Sequence, residues 1–237
     1  MYFSRVRIHT GAIPHGTLLR VLRGDAYASH KLIWKLFSNN PLDKRAFLFR
    51  QEVEKEQLPL SIERRGLPIY YVVSEKRPVN LDGLMQVETK TYNPQLSPSM
   101  RLSFELRVNP VIARAAAGNK ISSKHDVMMD AKRRAKQENV TDRALVRAAM
   151  DAAAVNWLYE RASALGFRLI DRSLVEVSGY RQHFVRRRDS RGITFSSVDL
   201  SGALEVIDPE KVRTLLFTGM GRSRSFGCGM MMVRPLQ

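Results

Sequence analysis

Residues 2–9, YFSRVRIH, alternate polar with apolar positions and carry β-branched and aromatic side chains, a period of two that predicts an opening strand. A polar stretch containing glycine follows. Asp25 is then placed to cap a helix running to about Phe37, which Asn39, Asn40 and Pro41 should stop. On that helix Ile33, Trp34 and Phe37 share a side and should anchor it to a sheet. FLFRQEV (47–53) and PIYYVVSE (68–75) read as a strand pair, and QVETKTY (86–92) as another strand with room for a short helix before it. This order approaches β-α-β-β-α-β, the ferredoxin-like pattern.

Between Tyr92 and Met100 the segment NPQLSPS breaks every period, so a domain boundary is expected there, with one domain over 1–93 and a second over 99–237. RLSFELRVNP (101–110) is a cleanly alternating strand. Residues 114–136 hold Gly118, Asn119, Ser122 and a run of bases (Lys132, Arg133, Arg134, Lys136), and read as an insertion that is in part mobile. An Ala-rich helix is expected from Thr141 or Asp142 to about Leu165, stopped by Gly166. Segments 167–188 and 190–207 read as strands joined by a hairpin. A short helix from Pro209 to Phe217 and a closing strand, FGCGMMMVRP, complete the pattern. The predicted fold class is α+β: two tandem ferredoxin-like (RRM-like) domains, inferred from repeated element order because no sequence repeat links the halves.

Composition narrows the partners. Thirty-nine Lys and Arg against twenty-three Asp and Glu give 237 residues a net charge of +16. Such a surplus attracts polyanions, and nucleic acid leads because condensed counterions are released from its phosphates. An anionic membrane surface competes. No apolar run approaches the ~20 residues of a spanning helix, Arg5 and Arg7 interrupt the apolar core a secretory signal needs, and the long helix is Ala-rich instead of basic and amphipathic. No membrane partner is therefore expected. The single cysteine, Cys228, forms no internal disulfide and suits a reducing cytosol. It lacks ligand-spaced partners, and the carboxylates are scattered, so neither a zinc site nor two-metal phosphoryl chemistry is expected, and no cofactor.

Three features carry candidate chemistry. Tyr27 and His30 lie three apart on one face of the first helix. A buried, hydrogen-bonded and inert histidine is the plain reading. Against it stands the position in the first turns, where free backbone N–H groups and the helix dipole favour phosphate, and where an imidazole with a pKa near ~6.5 exchanges protons at neutrality. The second feature is the run GMGRSRSFGCG, in which Gly219, Gly221, Gly227 and Gly229 surround Arg222, Ser223 and Arg224. It is neither a P-loop nor a dinucleotide turn, and it either permits a tight bend or brings backbone and arginines to a phosphate. The third is the hairpin with Arg181, Arg186, Arg187, Arg188 and Arg191 against one acid, Asp189. It is a solvated turn or a ribbon laid along a nucleic-acid groove. His183, in the same segment, is a candidate RNA contact. His9, His15 and His125 have no supporting context.

MYFSRVRI, the helix DAYASHKLIWKLF with Tyr27 and His30, the strand FELRVNP (104–110) and the ending GMGRSRSFGCGMMMVRP occur in the same order as in one family. On these stretches the chain resembles the CasE family, the CRISPR RNA-processing endoribonuclease of type I-E Cascade. Residues 50–100 and 114–140 match loosely. The resemblance implies tandem ferredoxin-like domains, metal-independent cleavage on the 3′ side of a repeat stem-loop, retention of the product and assembly with other Cascade subunits. It also implies catalytic roles for His30 and Tyr27. His30 would serve as general base on the 2′-hydroxyl or as general acid on the 5′-oxygen, with Lys31 or a loop arginine offsetting charge. A non-catalytic RNA-binding subunit, a ribosomal or assembly protein and a peripheral membrane protein are the other readings.

Overall fold

A computed structural model describes residues 1–9, 14–22, 25–38, 44–53, 68–81, 83–115, 122–187 and 190–236. The strands β1 (Tyr2–Ile8), β2 (Phe47–Val53), β3 (Pro68–Ser74) and β4 (Met85–Thr91) form an antiparallel sheet in the order β2-β3-β1-β4. Two helices, α1 (His15–Leu22) and α2 (Ala26–Trp34), precede β2. Leu32, Ile33 and Leu36 pack on Val6, Ile8, Phe49, Tyr70 and Val72 from one sheet face. The other face is covered too: Leu48 and Val73 meet Met230 from near the C-terminus. Burial on both faces explains why PIYYVVS is an almost unbroken apolar run where a half-exposed strand would alternate.

The second half repeats the layout. It contains β5 (Arg101–Val108), β6 (Val111–Ala115), β7 (Ser122–Asp126), α3 (Val127–Gln137), α4 (Arg143–Ala162), β8 (Phe167–Leu169), β9 (Glu176–Arg187), β10 (Ser190–Val206), α5 (Pro209–Thr218) and β11 (Met231–Pro235). Its main sheet runs β11-β5-β10-β8, with β9 paired to β10 as a long ribbon and β6 with β7 as a separate pair. Each sheet places its strands, in chain order, as 4-1-3-2 with the first and third at the centre. The chain is thus two ferredoxin-like domains in tandem. Trp157, Leu158 and Ala154 of α4 fill the second core with Phe104, Leu106 and Leu200. Gly166, in the left-handed conformation, ends the short 3₁₀ turn that follows α4.

The structure corrects several expectations. The polar stretch before Asp25 contains α1, a helix of eight residues that buries only Val21 and so shows little periodicity. Helix α2 ends at Trp34, its C-cap being Lys35; the expected stop signals, Asn39 to Pro41, lie outside the described residues. No helix lies between β3 and β4 among the described residues, where Leu84 and Met85 instead turn back to bond the Leu81 carbonyl. In the segment 114–136, residues 122–137 form a strand and a helix. The run of bases hid the apolar face of α3, which buries Met128 and Ala135. The closing strand begins only at Met231, because Arg224–Phe226 form a 3₁₀ turn.

The two domains are joined by more than the chain. From β5, Arg107 grips Asp199 of β10 with Nε and Nη2, both at 2.8 Å, and donates from Nη1 to the Gln51 carbonyl of β2 at 2.8 Å. Buried Arg50 lies beside it, paired with Glu52 and within 3.8 Å of Asp199. The linking segment is pinned at both ends, Tyr92 N–H to the Met1 carbonyl and Ser99 N–H to the Val206 carbonyl, each at 2.8 Å. No helix among the described residues is long and apolar enough to cross a membrane.

Replacing Arg107 with Leu should leave Asp199 poorly neutralised and the Gln51 carbonyl unpaired. The expected loss is about 2–4 kcal/mol in urea unfolding, since removing one partner from a half-buried pair strands the other. A change below about 0.5 kcal/mol would show that this junction contributes little.

Candidate active site and nucleic-acid interface

Helix α2 is held at its start by Asp25, whose Oδ1 accepts from the N–H groups of Tyr27 and Ala28 at 2.9 and 3.0 Å. Arg20 of α1 pairs with the same carboxylate at 2.7 Å. This corrects one argument from sequence: the amides expected to face a phosphate are already bonded to a side chain. A helix N-terminus capped by its own carboxylate does not attract a second anion. The inner face is fastened by Ser29, which donates to Gln51 Oε1 at 2.8 Å and accepts from the Tyr70 hydroxyl at 3.1 Å. Position 30 is thereby fixed over β2.

His30 sits in an aromatic box. Its ring lies 5.6 Å from Trp34, 6.1 Å from Phe47, 6.4 Å from Phe49 and 6.5 Å from Phe226. The inert reading required a hydrogen-bonded imidazole, yet Nδ1 is buried without a partner among the described residues. Burial, with repulsion from the Arg45 guanidinium, pushes the imidazole down to about 4. The unperturbed value assumed from sequence therefore does not hold in the free protein, and at neutral pH the ring is uncharged.

Phe226 belongs to the glycine run, so the two strongest sequence features meet here from opposite ends of the chain. Phe226 stacks on Phe195 of β10 at 5.1 Å, and Phe195 stacks on His183 of β9 at 4.5 Å. His183 hydrogen-bonds Ser197 Oγ at 2.8 Å, and burial, together with Arg181 and Arg107, pushes it down to about 4. Tyr27 packs on the cluster Ala26, Val185, Phe195 and Cys228, with Lys31 Nζ 4.5 Å above its ring. Lys31 is exposed. Burial pushes the Cys228 thiol up to about 12, so it serves as packing.

The glycines have separate duties. Gly219 and Gly229 form the neck of the loop: a Cβ on Gly229 would stand 2.3 Å from the Met220 carbonyl, and one on Gly219 2.8 Å from the Gly229 carbonyl. Gly227 is buried against Phe49, whereas Gly221 and Arg222 are exposed. Ser223 adopts a left-handed conformation (φ 59°) and accepts from Asn109 Nδ2 at 2.8 Å. Arg224 donates to the Thr218 carbonyl at 2.8 Å. Between this loop, β10 and β7 opens a cleft of about 700 Å³ with Arg45, Lys124, Arg222 and Arg224 on its walls.

Of the hairpin arginines, Arg181 is exposed on β9. Arg186 and Arg187 are placed by backbone at the end of β9, and Arg191 in β10; Arg188 lies outside the described residues. Sequence reading missed Arg45 altogether, because a single arginine before a strand carries no local signal. Among the described residues no group of three or more His, Cys, Asp or Glu stands ready to hold a metal ion.

Two outcomes should follow. Histidines neutral in the folded state and protonated in the unfolded chain make stability fall as pH drops from about 6.5 towards about 4. Thermal unfolding of His30→Ala should show a shallower acid decline than the parent. Gly229→Ala should lower the unfolding midpoint by several degrees, because both its φ of +87° and the Met220 carbonyl oppose a Cβ, whereas Gly221→Ala, opposed by its φ of +69° but by no backbone clash, should cost less.

Comparison with known proteins gives a consistent result. The chain is 26% identical over 236 residues to the CRISPR system Cascade subunit CasE of Escherichia coli, covering 100% of both chains. It is 28% identical over 163 residues, 65% of each chain, to the CRISPR-associated endoribonuclease Cse3 of Thermus thermophilus. The structure of Thermus thermophilus Cse3 bound to an RNA representing a pre-cleavage complex superposes with a TM-score of 0.69 at 25% identity, covering 99% of this chain and 98% of that one. A family model described as CRISPR associated protein matches residues 1–235, and the chain belongs to that family, among relatives named CasE and Cse3.

Proposed function

We propose that this chain is an endoribonuclease that processes CRISPR repeat RNA, cutting on the 3′ side of a stem-loop and keeping its product as a subunit of a Cascade surveillance complex in the cytoplasm. The observation that carries the reading is the meeting of α2 and the glycine loop at His30, beside a basic cleft large enough for nucleotides. Relatives with the same fold are named as an endoribonuclease and as a Cascade subunit.

RNA brings its own nucleophile, the 2′-hydroxyl, so no metal-bound water is required. The neutral imidazole of His30 is the form that accepts a proton, and we assign it as general base. The 2′-oxygen bonds to phosphorus as the P–O5′ bond breaks. One proton passes from the 2′-hydroxyl to His30, and the 5′-oxygen takes up another, with Tyr27 and Lys31 as the donors presented by the same helix. The products are a 2′,3′-cyclic phosphate and a 5′-hydroxyl. The exposed Arg222 and the half-buried Arg224 offset charge on the phosphate. The β9–β10 ribbon, with Arg181, Arg186, Arg187, Arg188 and Arg191, lies along the stem, where an A-form major groove is too narrow for base reading and contacts go to phosphates. Gly221 lets the loop backbone approach the RNA; Gly219, Ser223, Gly227 and Gly229 hold the loop in the shape that does so.

A labelled repeat stem-loop incubated in excess chelator tests the assignment. Cleavage should persist, and a 2′-deoxy sugar before the cut should block it. His30→Ala should abolish cleavage with RNA affinity kept within a few-fold, and Tyr27→Phe should be slower but active. Cleavage that stops in chelator and returns with magnesium would overturn the mechanism, and an active His30→Ala would return His30 to a packing role. Replacing Arg186, Arg187 and Arg188 with Ala should weaken binding and flatten its salt dependence by roughly 0.7–0.9 in log–log slope per lost contact.

A further inference from the structure

Arg45 is a half-buried cation with no anion paired to it among the described residues. It lies two residues before Phe47, on the wall of the basic cleft, and its Nη1 is buried without a hydrogen-bond partner among the described residues. Its charged neighbours make matters worse: Arg224 repels it from the glycine loop, and it in turn repels His30. Among the described residues most arginines answer to carboxylates or carbonyls, as Arg20, Arg50, Arg107 and Arg224 do. A guanidinium desolvated among like charges, with a donor aimed at nothing, is the arrangement expected where a mobile anion completes the site. We propose that Arg45 is a further catalytic residue, donating to a non-bridging oxygen of the scissile phosphate and stabilising the charge that grows there during cleavage. This rests on the endoribonuclease reading above.

The placement links binding to chemistry. Among the described residues, the charged and titratable groups that face His30 from the elements packed on it are Arg45 before β2, on which Arg224 acts in turn, Tyr27 and Lys31 on its own helix, and, beyond the Phe226–Phe195 stack, His183 with Arg181. Of these, Arg45 is the one that, with burial, lowers its affinity for protons. A phosphate held by Arg45 cancels that repulsion and adds a negative charge beside the imidazole. A poor base becomes one matched to neutral pH when the substrate phosphate is seated, and not before.

The test uses the full chain and its Arg45→Gln and Arg45→Lys variants, with thermal unfolding to confirm that each folds. Single-turnover cleavage of a repeat stem-loop should slow roughly a hundredfold in Arg45→Gln, less in Arg45→Lys, and the acidic limb of the pH–rate profile taken at subsaturating enzyme, which reports His30 of the free protein, should move upward in Arg45→Gln. A purely structural role would leave that limb in place. In parallel, NMR titration of the His30 ring with inorganic phosphate should raise its pKa in the parent protein and leave it unmoved in Arg45→Gln. Wild-type rate and an unchanged limb in a folded Arg45→Gln would overturn the assignment while leaving the nuclease reading intact. A parent protein that cuts no stem-loop, yet whose His30 responds to phosphate only when Arg45 is present, would overturn the nuclease reading and keep the anion site.

Discussion

Arg107 is the fixed point of the molecule. Its side chain ties β5 to β10 through Asp199 and reaches across to the Gln51 carbonyl of the first domain, while its own carbonyl accepts from Gly229 N–H at 2.7 Å. One residue thus sets the distance between the two sheets and anchors the end of the glycine loop. Gln51 carries the connection onward, because its side chain accepts from Ser29 on α2. The geometry between His30 and Phe226, which lie almost two hundred residues apart in sequence, follows from these few bonds. A bidentate guanidinium–carboxylate pair suits the task, since it fixes orientation as well as distance.

The environment built around His30 works against its charge. Four aromatic rings supply little hydrogen bonding, and the nearest ion acting on it is a cation. A histidine left there solely for packing would be better replaced by an apolar side chain of similar shape. Among the described residues, Nδ1 of His30 and Nη1 of Arg45 are both buried without a hydrogen-bond partner, on two side chains close enough for the charge of one to act on the other. Such atoms cost stability in the free protein, and clustered groups of this kind are characteristic of sites completed by a ligand.

The glycine loop shows how a sequence motif divides into parts with different physical roles. Gly219 and Gly229 allow two backbone segments to touch, and Met220 N–H bonds the Gly229 carbonyl at 2.9 Å across that neck. Arg224 closes the loop on its own Thr218 carbonyl. Only Gly221 and Arg222 at the tip remain exposed, and Phe226 turns inward as part of the box around His30. The two readings the sequence left open, a tight bend or a phosphate contact, thus fall on different parts of the run: most of it is a closed support, with a small exposed edge.

The sequence by itself determined the strands that alternate, such as β5, the helix capped by Asp25, the Ala-rich helix starting at Thr141 or Asp142, and its stop at Gly166. These depend on neighbours three or four residues apart, so the chain carries their signal locally. It also singled out Tyr27, His30 and the glycine run, because a histidine among apolar helix positions and four clustered glycines are locally unusual. What it did not carry was α1, whose few buried contacts leave no period, or α3, whose basic face masked its apolar one. Nor did it reveal the low proton affinity of His30. Arg45 had no local mark at all. Proton affinity and unmet hydrogen bonds are sums over everything nearby in space. Only the tertiary structure, by bringing residues 27, 30, 45, 195 and 226 into one neighbourhood, decided them.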